Sequence, residues 1–229
     1  MCNAYNLKTS LTAIGEAAMR DLELPLVFAP GVTAESSNTP VPDEVFPRRD
    51  GLILKPADRR RPEAGLTAGV AHWNLTPFFH KGPLKAWRAS TNNCRAETMA
   101  TAPAFREAFQ RRRCLIPATS FIEWTGPVRR KTQHLITRAG GGLLFFAGLW
   151  EHAYVEDEPV ESYAMVTVPP SAWMARFHDR QPLALEGVPA RTWLDLTADI
   201  RPLLSPARTD TALVADPPEP AAADPMLEL

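Results

Sequence analysis

Cysteine is scarce in this sequence. Cys2, Cys94 and Cys114 are the three cysteines among 229 residues, and none of them belongs to a CxxC spacing. An odd number without that spacing argues against a disulfide framework and against a cysteine-ligated zinc site. Cys94 and Cys114 are predicted to be small buried fillers. The five histidines form no HExxH pattern. We therefore predict no metal, no cofactor and a reducing, cytoplasmic environment.

Long apolar runs and nucleotide-binding patterns are also absent. No stretch approaches the roughly 20 apolar residues that cross a bilayer. The opening letters MCNAYNLKTS turn polar too soon for a signal peptide. These two absences predict a protein without a membrane partner. The sequence contains no GxGxxG pattern, no P-loop pattern and no internal repeat, which argues against nucleotide-dependent chemistry.

Net charge is close to zero, at −1, and does not by itself indicate a nucleic-acid binder. Basic residues are concentrated between Arg88 and Lys131, where nine of them accompany three acids. Such a zone suits an anion-binding surface, because the local potential matters more than the total charge. On charge alone, a solvated arginine-rich helix end explains the zone better.

The apolar pattern predicts more strands than helices, without regular alternation between them. It favours an α+β fold of mainly antiparallel β-structure, with a barrel-like sheet core and peripheral helices. We expect one domain over residues 1–215 and a disordered, proline- and acid-rich tail over residues 216–229. Helices are predicted over residues 11–24 and 98–113, the second capped by Thr101. Strands are predicted over residues 114–124, where a turn interrupts the strand, and over residues 133–138, 141–151, 163–168 and 182–186.

Two polar residues interrupt apolar segments, where burial costs free energy unless the group has a partner or a task. Glu123 stands between Ile122 and Trp124. If it is buried, its pKa should be raised, which suits proton transfer; an outward-facing carboxylate is an equally good reading. His178 precedes Asp179, which would orient or charge the imidazole, although a structural histidine is the simpler explanation for it alone.

The second residue acquires a special chemistry if Met1 is removed. Cys2 then carries a thiol and a free α-amine, whose ordinary pKa values are about 8.5 and about 8. Taken alone, Cys2 is better explained as part of a frayed terminus. In the segment STNNCRAET, Asn93 and Arg95 either hold an anionic ligand or belong to a turn in which Arg95 pairs with Glu97.

Taken together, these signals follow a known order. The chain opens MC and continues through NCRAET, AFREAF, RRCLIPA, SFIEW, GLWE and HDRQP. This succession resembles the SOS-response-associated peptidase (SRAP) family, whose members sense abasic sites in single-stranded DNA. The likeness runs from Cys2 to about Leu185. It implies an SRAP-like fold and a monomer that meets abasic single-stranded DNA at the nucleoid.

The resemblance also implies a role for each matching residue. The expected catalytic positions match the family's N-terminal cysteine and its NARAE, FxEW and HDRMP motifs: Cys2, Asn93, Glu123 and His178. The expected DNA-binding positions are Arg95, Trp73, Thr167 and, from the basic zone, Arg113. Trp73 matches the family's WGLxP motif, and Thr167 lies in the strand before HDRMP.

By this resemblance, the α-amine of Cys2 attacks the aldehyde of an open abasic sugar, and its thiol closes on the resulting imine to form a thiazolidine. Glu123 would take a proton from the amine, and His178 would act as acid and base at the sugar oxygen. Asn93 would position the cysteine. The implied product is a DNA–protein crosslink that protects the lesion. Peptidase activity, as self-removal of residues ahead of the cysteine, and lyase activity are further expectations.

The chain departs from the family pattern at several positions. Asn3 and Ala4 replace the Gly-Arg of MCGRY, and Asn74 replaces the glycine of WGLxP. Loss of one phosphate contact should weaken DNA binding by roughly 1 kcal/mol. Two other functions stay open at this point. One is an N-terminal-cysteine amidohydrolase or peptidase. The other is a non-catalytic nucleic-acid binder that uses the basic zone alone.

Overall fold

The computed structural model describes residues 3–27, 43–127, 129–156, 158–204 and 212–216. Met1 and Cys2 lie outside the described residues, as do residues 217–229 of the predicted tail. The described part forms twelve strands and three α-helices. Strands β1 to β12 are Tyr5–Asn6, Glu44–Val45, Asp50–Pro56, Leu66–Trp73, Asn93–Arg95, Arg113–Ala118, Ser120–Thr125, Thr132–Arg138, Leu144–Val155, Glu158–Val168, Gln181–Pro182 and Leu213–Asp216. Helices α1 to α3 are Leu11–Leu22, Arg106–Arg111 and Gly187–Leu194.

Five strands close into a barrel. They are neighbours in the order β10-β4-β3-β6-β9, and β9 pairs with β10 to complete the circle. Pairing around the circle is antiparallel except between β10 and β4, which run parallel. The predicted α+β class, with a mainly antiparallel and barrel-like core, is confirmed.

A second sheet, in the order β12-β8-β7-β1-β2, shares a buried cluster with the barrel. The rings of Phe121 on β7 and Phe146 on β9 meet edge to face in this cluster, 5.7 Å apart. Strand β1 lies inside the sheet, between β7 and β2. The last strand, β12, was not predicted, and it places Asp216 opposite Leu135.

Both faces of β10 are buried along its second half, residues 162–168. On β10, Tyr163 and Met165 belong to the cluster shared with the second sheet. The alternate residues, Ala164 and Val166, belong to a cluster that also includes residues of α1 and α3. Because successive side chains of a strand point to opposite faces, a strand between two clusters is apolar throughout.

Helix α1 confirms the first predicted helix. Its N-terminus is capped by Ser10, whose Oγ accepts a hydrogen bond from the backbone N–H of Ala13 at 3.1 Å. It ends where Glu23 adopts a left-handed conformation, with φ of 56°. Leu11, Ile14 and their neighbours on one face are buried, as the spacing predicts. Within the described ranges, no helix has the length and apolar character needed to span a bilayer.

The second predicted helix, over residues 98–113, is wrong for its first half. Only Arg106–Arg111 are helical, and residues 98–105 form successive turns. One turn is closed by a 2.8 Å hydrogen bond from Ala102 N to Thr98 O. Pro103 follows, and its lack of an N–H prevents that turn from continuing as a regular helix. The short helix α3 was missed, because GVPARTWL offers few apolar repeats.

A hydroxyl pair is buried at the contact between the barrel and β1. The Tyr5 and Tyr163 oxygens are 2.6 Å apart, and both side chains are fully buried. Burial, together with the adjacent Tyr5, raises the pKa of Tyr163 well above its ordinary value. Strand β3 passes this pair at Gly51, where an added Cβ atom would collide with both hydroxyl groups. Glycine is therefore required at this position.

Gly51→Ala is expected to lower the free energy of unfolding by about 2–3 kcal/mol, because the two rigid tyrosines cannot both move away. Gly69→Ala on β4 is the matched control. Its Cβ would meet the Lys55 side chain at an ordinary 3.5 Å, so we expect a change within about 0.5 kcal/mol. Denaturant unfolding of both variants measures the difference, and equal effects would contradict this account.

Candidate active site

The first described residues lie beside β7. Ala4 O accepts a 3.0 Å hydrogen bond from Ile122 N, and Tyr5 lies opposite Phe121. Asn3 Oδ1 accepts a 3.3 Å hydrogen bond from Nδ2 of Asn92. Asn3 therefore lies between β7 and the residues that lead into β5. Cys2, the predicted nucleophile, precedes it and lies outside the described residues.

Glu123 is a buried carboxyl group on β7, with only 2% of its surface exposed. Burial, with a smaller contribution from the nearby Asp179 carboxylate, raises the pKa of Glu123 to about 7. Its Oε1 atom is buried and has no hydrogen-bond partner among the described residues. The outward-facing reading of Glu123 is thus wrong. A carboxyl group of this kind accepts a proton readily near neutral pH.

His178 lies next to the same part of the second sheet. The ring of Phe177 is 5.0 Å from that of His134, the residue opposite Glu123 on β8. The Nδ1 atom of His178 is 2.7 Å from Asp179 Oδ1. Burial lowers the pKa of His178 below its usual value, although Asp179 acts in the opposite direction. Its imidazole is therefore mostly neutral at pH 7.

The Asn93 side chain is buried on β5, opposite Met165 of β10. The preceding residue, Asn92, contacts Asn3 through its side chain and accepts a 2.7 Å hydrogen bond from Trp73 Nε1 through its carbonyl oxygen. The structure thus brings Glu123 close to the His178–Asp179 pair. Asn92 precedes β5 and contacts Asn3, so this contact links the start of β5 to the part of β7 that holds Glu123.

Arg180 joins the histidine segment to β10 and to the turn that follows β5, a contact that the sequence analysis missed. Its guanidinium donates two hydrogen bonds to Glu97, at 2.6 and 2.9 Å, and one to Thr167 O at 2.7 Å. The ion-pair partner of Glu97 is therefore Arg180, whose hydrogen bonds, with a smaller contribution from the charge of Arg95, lower the pKa of Glu97 below its usual value. Arg95 is exposed. The complementary charges of HDR and RAE were the available signal, but sequence does not show which arginine pairs.

Within the described ranges, no group of three or more His, Cys, Asp or Glu side chains is arranged to hold a metal ion.

Comparison with known protein families identifies the family of this chain. The family model for the SOS response associated peptidase (SRAP) matches residues 1–217. This chain belongs to the SRAP family.

Several curated relatives are named abasic site processing proteins. YoqW of Bacillus subtilis is 33% identical over 129 residues, covering 56% of this chain and 57% of that protein. YedK of Escherichia coli is 30% identical over 125 residues, covering 54% and 56%. HMCES of Xenopus tropicalis is 31% identical over 187 residues, covering 70% and 56%. The chain thus spans little more than half the length of these relatives.

Solved structures share the SRAP chain's fold. A protein from Bacteroides thetaiotaomicron superposes with a TM-score of 0.74 at 20% identity, covering 93% of this chain and 91% of that one. A protein from Bordetella bronchiseptica superposes with a TM-score of 0.71 at 26% identity, covering 96% and 100%. The barrel with its second sheet is therefore a fold found in both proteins.

Three of the four residues predicted to bind DNA in this SRAP chain are buried. Trp73 is stacked on Tyr163 and has no exposed surface. Thr167 is also fully buried, and Arg113 donates hydrogen bonds to three backbone carbonyl groups inside the fold. Burial and internal hydrogen bonds give these three side chains structural roles, and their contact with DNA stays a prediction. Arg95 is the predicted DNA-binding residue that is exposed.

Other aromatic residues are exposed near the site, in a segment that we call the aromatic loop (residues 75–91). Phe78 and Phe79 are 48% and 46% exposed. The Phe79 ring meets Trp87 edge to face at 6.3 Å. Beside them is a cavity of about 340 Å³, lined by Arg48, His72, Asn74, Leu84, Lys85 and Trp87. Paired phenylalanines inside a polar loop were the signal that the sequence analysis overlooked.

Proposed function

We propose that this chain processes abasic sites in single-stranded DNA by forming a covalent thiazolidine crosslink through Cys2, after removal of Met1. The observation that carries the proposal is Glu123, a buried carboxyl group with a pKa of about 7 beside the start of β1. Consecutive Cα atoms are about 3.8 Å apart, so Cys2 is one peptide unit from Asn3. The named activity of the SRAP relatives supports the same lesion as substrate.

The reaction joins an aminothiol to an aldehyde and releases one water molecule. The α-amine of Cys2 attacks the aldehyde carbon of the open abasic sugar, and the carbinolamine loses water to give an iminium ion. The thiol then adds to the iminium carbon and gives up its proton, which closes the thiazolidine ring. Glu123 accepts the proton that the amine must lose before attack. His178 serves the sugar oxygen and the departing water as acid and base.

Asn93 and Arg180 prepare the site rather than react. Asn93 would hold the first residue by hydrogen bonding from β5. Arg180 connects the His178 segment to Glu97 and Thr167, so it sets where the imidazole stands. Such preorganisation matters because catalytic groups must be placed to within a fraction of an ångström.

DNA would be held by Arg95 and the aromatic loop, with the chain acting as a monomer. Phe78→Ala is expected to weaken binding of single-stranded DNA about fivefold, since stacking on one base contributes about 1 kcal/mol or more. The matched control is Tyr154→Ala, which removes another exposed aromatic ring, 56% exposed, from the β9 strand. Fluorescence anisotropy with a labelled oligonucleotide measures both variants. Equal affinities would rule out the aromatic loop as the contact.

Intact mass spectrometry tests the proposed function directly. The protein is mixed with single-stranded DNA that carries one abasic site and heated, and the molecular mass of the product is measured. We expect a mass equal to the processed protein plus the oligonucleotide minus one water. DNA with a tetrahydrofuran analogue, which lacks the aldehyde, should give no adduct. Absence of the adduct with the true abasic site would overturn the proposal. An adduct formed instead with a peptide or amide would favour an N-terminal-cysteine amidohydrolase.

A further inference from the structure

His178 has two neighbours that make opposite demands on one ring nitrogen. Nδ1 is 2.7 Å from Oδ1 of Asp179, a distance at which a protonated Nδ1 donates to the carboxylate. The same Nδ1 is 3.0 Å from the backbone nitrogen of Arg180, whose N–H donates to an unprotonated Nδ1. A single ring nitrogen cannot satisfy both at once.

We propose that Asp179 and the backbone N–H of Arg180 compete for Nδ1 of His178, and that the outcome decides whether Nε2 accepts a proton or only donates a hydrogen bond. Asp179 is thus a positioning residue that acts through His178. The use made of Nε2 rests on the proposed function, whereas the competition is a property of the residues described above.

The two tautomers of the neutral ring differ in what they can do. When Nδ1 carries the proton and Asp179 holds it, the lone pair is on Nε2. That atom can take up a proton, and the resulting imidazolium is stabilised by the carboxylate until the proton is returned. When Nε2 carries the proton, the lone pair is on Nδ1 and is occupied by the Arg180 N–H. The ring then takes up no proton.

Among the surrounding charged groups, Asp179 is the one that determines which tautomer of the His178 ring is favoured. The Arg180 guanidinium is drawn away by Glu97 and by the Thr167 carbonyl group, so Arg180 faces the ring through its backbone. From β7, Glu123 interacts electrostatically with Asp179. The Asp179 side chain itself is 86% exposed, so solvent screens its charge and the two tautomers can interchange.

Asp179→Asn tests the competition, because it removes the carboxylate that favours a proton on Nδ1 and supplies an amide N–H that can donate to an unprotonated Nδ1, as the Arg180 N–H does. Nitrogen-15 chemical shifts of the His178 ring, assigned with a His178→Gln variant, are compared at about pH 8, above the ordinary histidine pKa. We expect wild-type protein to populate the Nδ1–H tautomer and Asp179→Asn to shift the ring to Nε2–H. The rate of crosslinking to abasic DNA should fall about tenfold.

Asp58→Asn is the matched control. It removes the same charge from an acid that pairs with Arg61. The chemical shifts of the His178 ring and the crosslinking rate should therefore stay as in the wild type. Unchanged His178 ring shifts in Asp179→Asn would overturn the inference, whatever happens to the rate. Shifted ring signals without a slower reaction would overturn the role of the tautomer in the chemistry. If wild-type protein formed no adduct while the tautomer still moved, the proposed function would fail and the competition would stand.

Discussion

Replacing Cys2 by alanine is expected to abolish the heat-stable adduct with abasic DNA, to at least about 100-fold below the wild-type yield. The variant keeps an α-amine, which still forms an imine with the aldehyde. It lacks the thiol that converts this reversible imine into a ring. Borohydride reduction should therefore trap an adduct of Cys2→Ala that heating alone destroys. Gel electrophoresis with and without reduction measures both species.

Cys94→Ala is the matched control for that experiment. Burial raises the pKa of both remaining thiols, Cys94 and Cys114, well above the usual range, so neither is a nucleophile near neutral pH. Alanine also stands at the Cys94 position in the family's NARAE motif, so the change should be tolerated. A heat-stable adduct that survived in Cys2→Ala and disappeared in Cys94→Ala would show that Cys94, and not Cys2, forms the crosslink.

Glu123→Gln is expected to slow crosslinking at least about 100-fold, because glutamine cannot accept the proton of the Cys2 amine. In the wild type, the rate should rise with pH up to about 7, where Glu123 becomes a carboxylate. The variant should lose this dependence. Single-turnover rates from pH 5 to 9 give both curves. A full wild-type pH profile in Glu123→Gln would remove Glu123 from the mechanism.

The same substitution should stabilise the fold in alkaline buffer. The pKa of Glu123 is about 7 in the folded chain and near 4.5 when unfolded. The folded wild type therefore loses stability as pH rises between these values, since it must bury a charge. At about pH 8 we expect Glu123→Gln to unfold with a free energy about 1–3 kcal/mol higher. For the crosslinking rate of Glu123→Gln, the matched control is Glu151→Gln, because Glu151 is equally buried but pairs with Arg112.

Local sequence patterns predicted helices and strands well where a single helix face or a single strand determined the structure. The spacing of Leu11 and Ile14 identified α1, and the apolar runs around Phe145 and Met165 identified β9 and β10. Prediction failed where a backbone detail governed the result. Pro103 removed a donor that a helix over residues 98–113 would have needed, and no periodicity reports that loss.

The candidate site was predicted in part, and the limit was again physical. Glu123 and His178 were identified because polar groups inside apolar segments need a partner or a task. The burial of residues predicted to bind DNA was not foreseen, since a motif tryptophan such as Trp73 looks the same in sequence whether it is buried or exposed. Which arginine pairs with Glu97 depends on how β5 and β10 align, and alignment between strands is set by the whole fold.

The position of β1 ties reactivity to completion of the fold. This strand is held by residues 120 and 121 of β7, more than a hundred positions later in the chain. In a growing chain, β1 is therefore synthesised long before the strand that it pairs with. Under the proposed mechanism, a chain interrupted before β7 would present the Cys2 thiol and amine without Glu123, the proposed base for the amine. The proposed reactivity would thus depend on the completed tertiary structure.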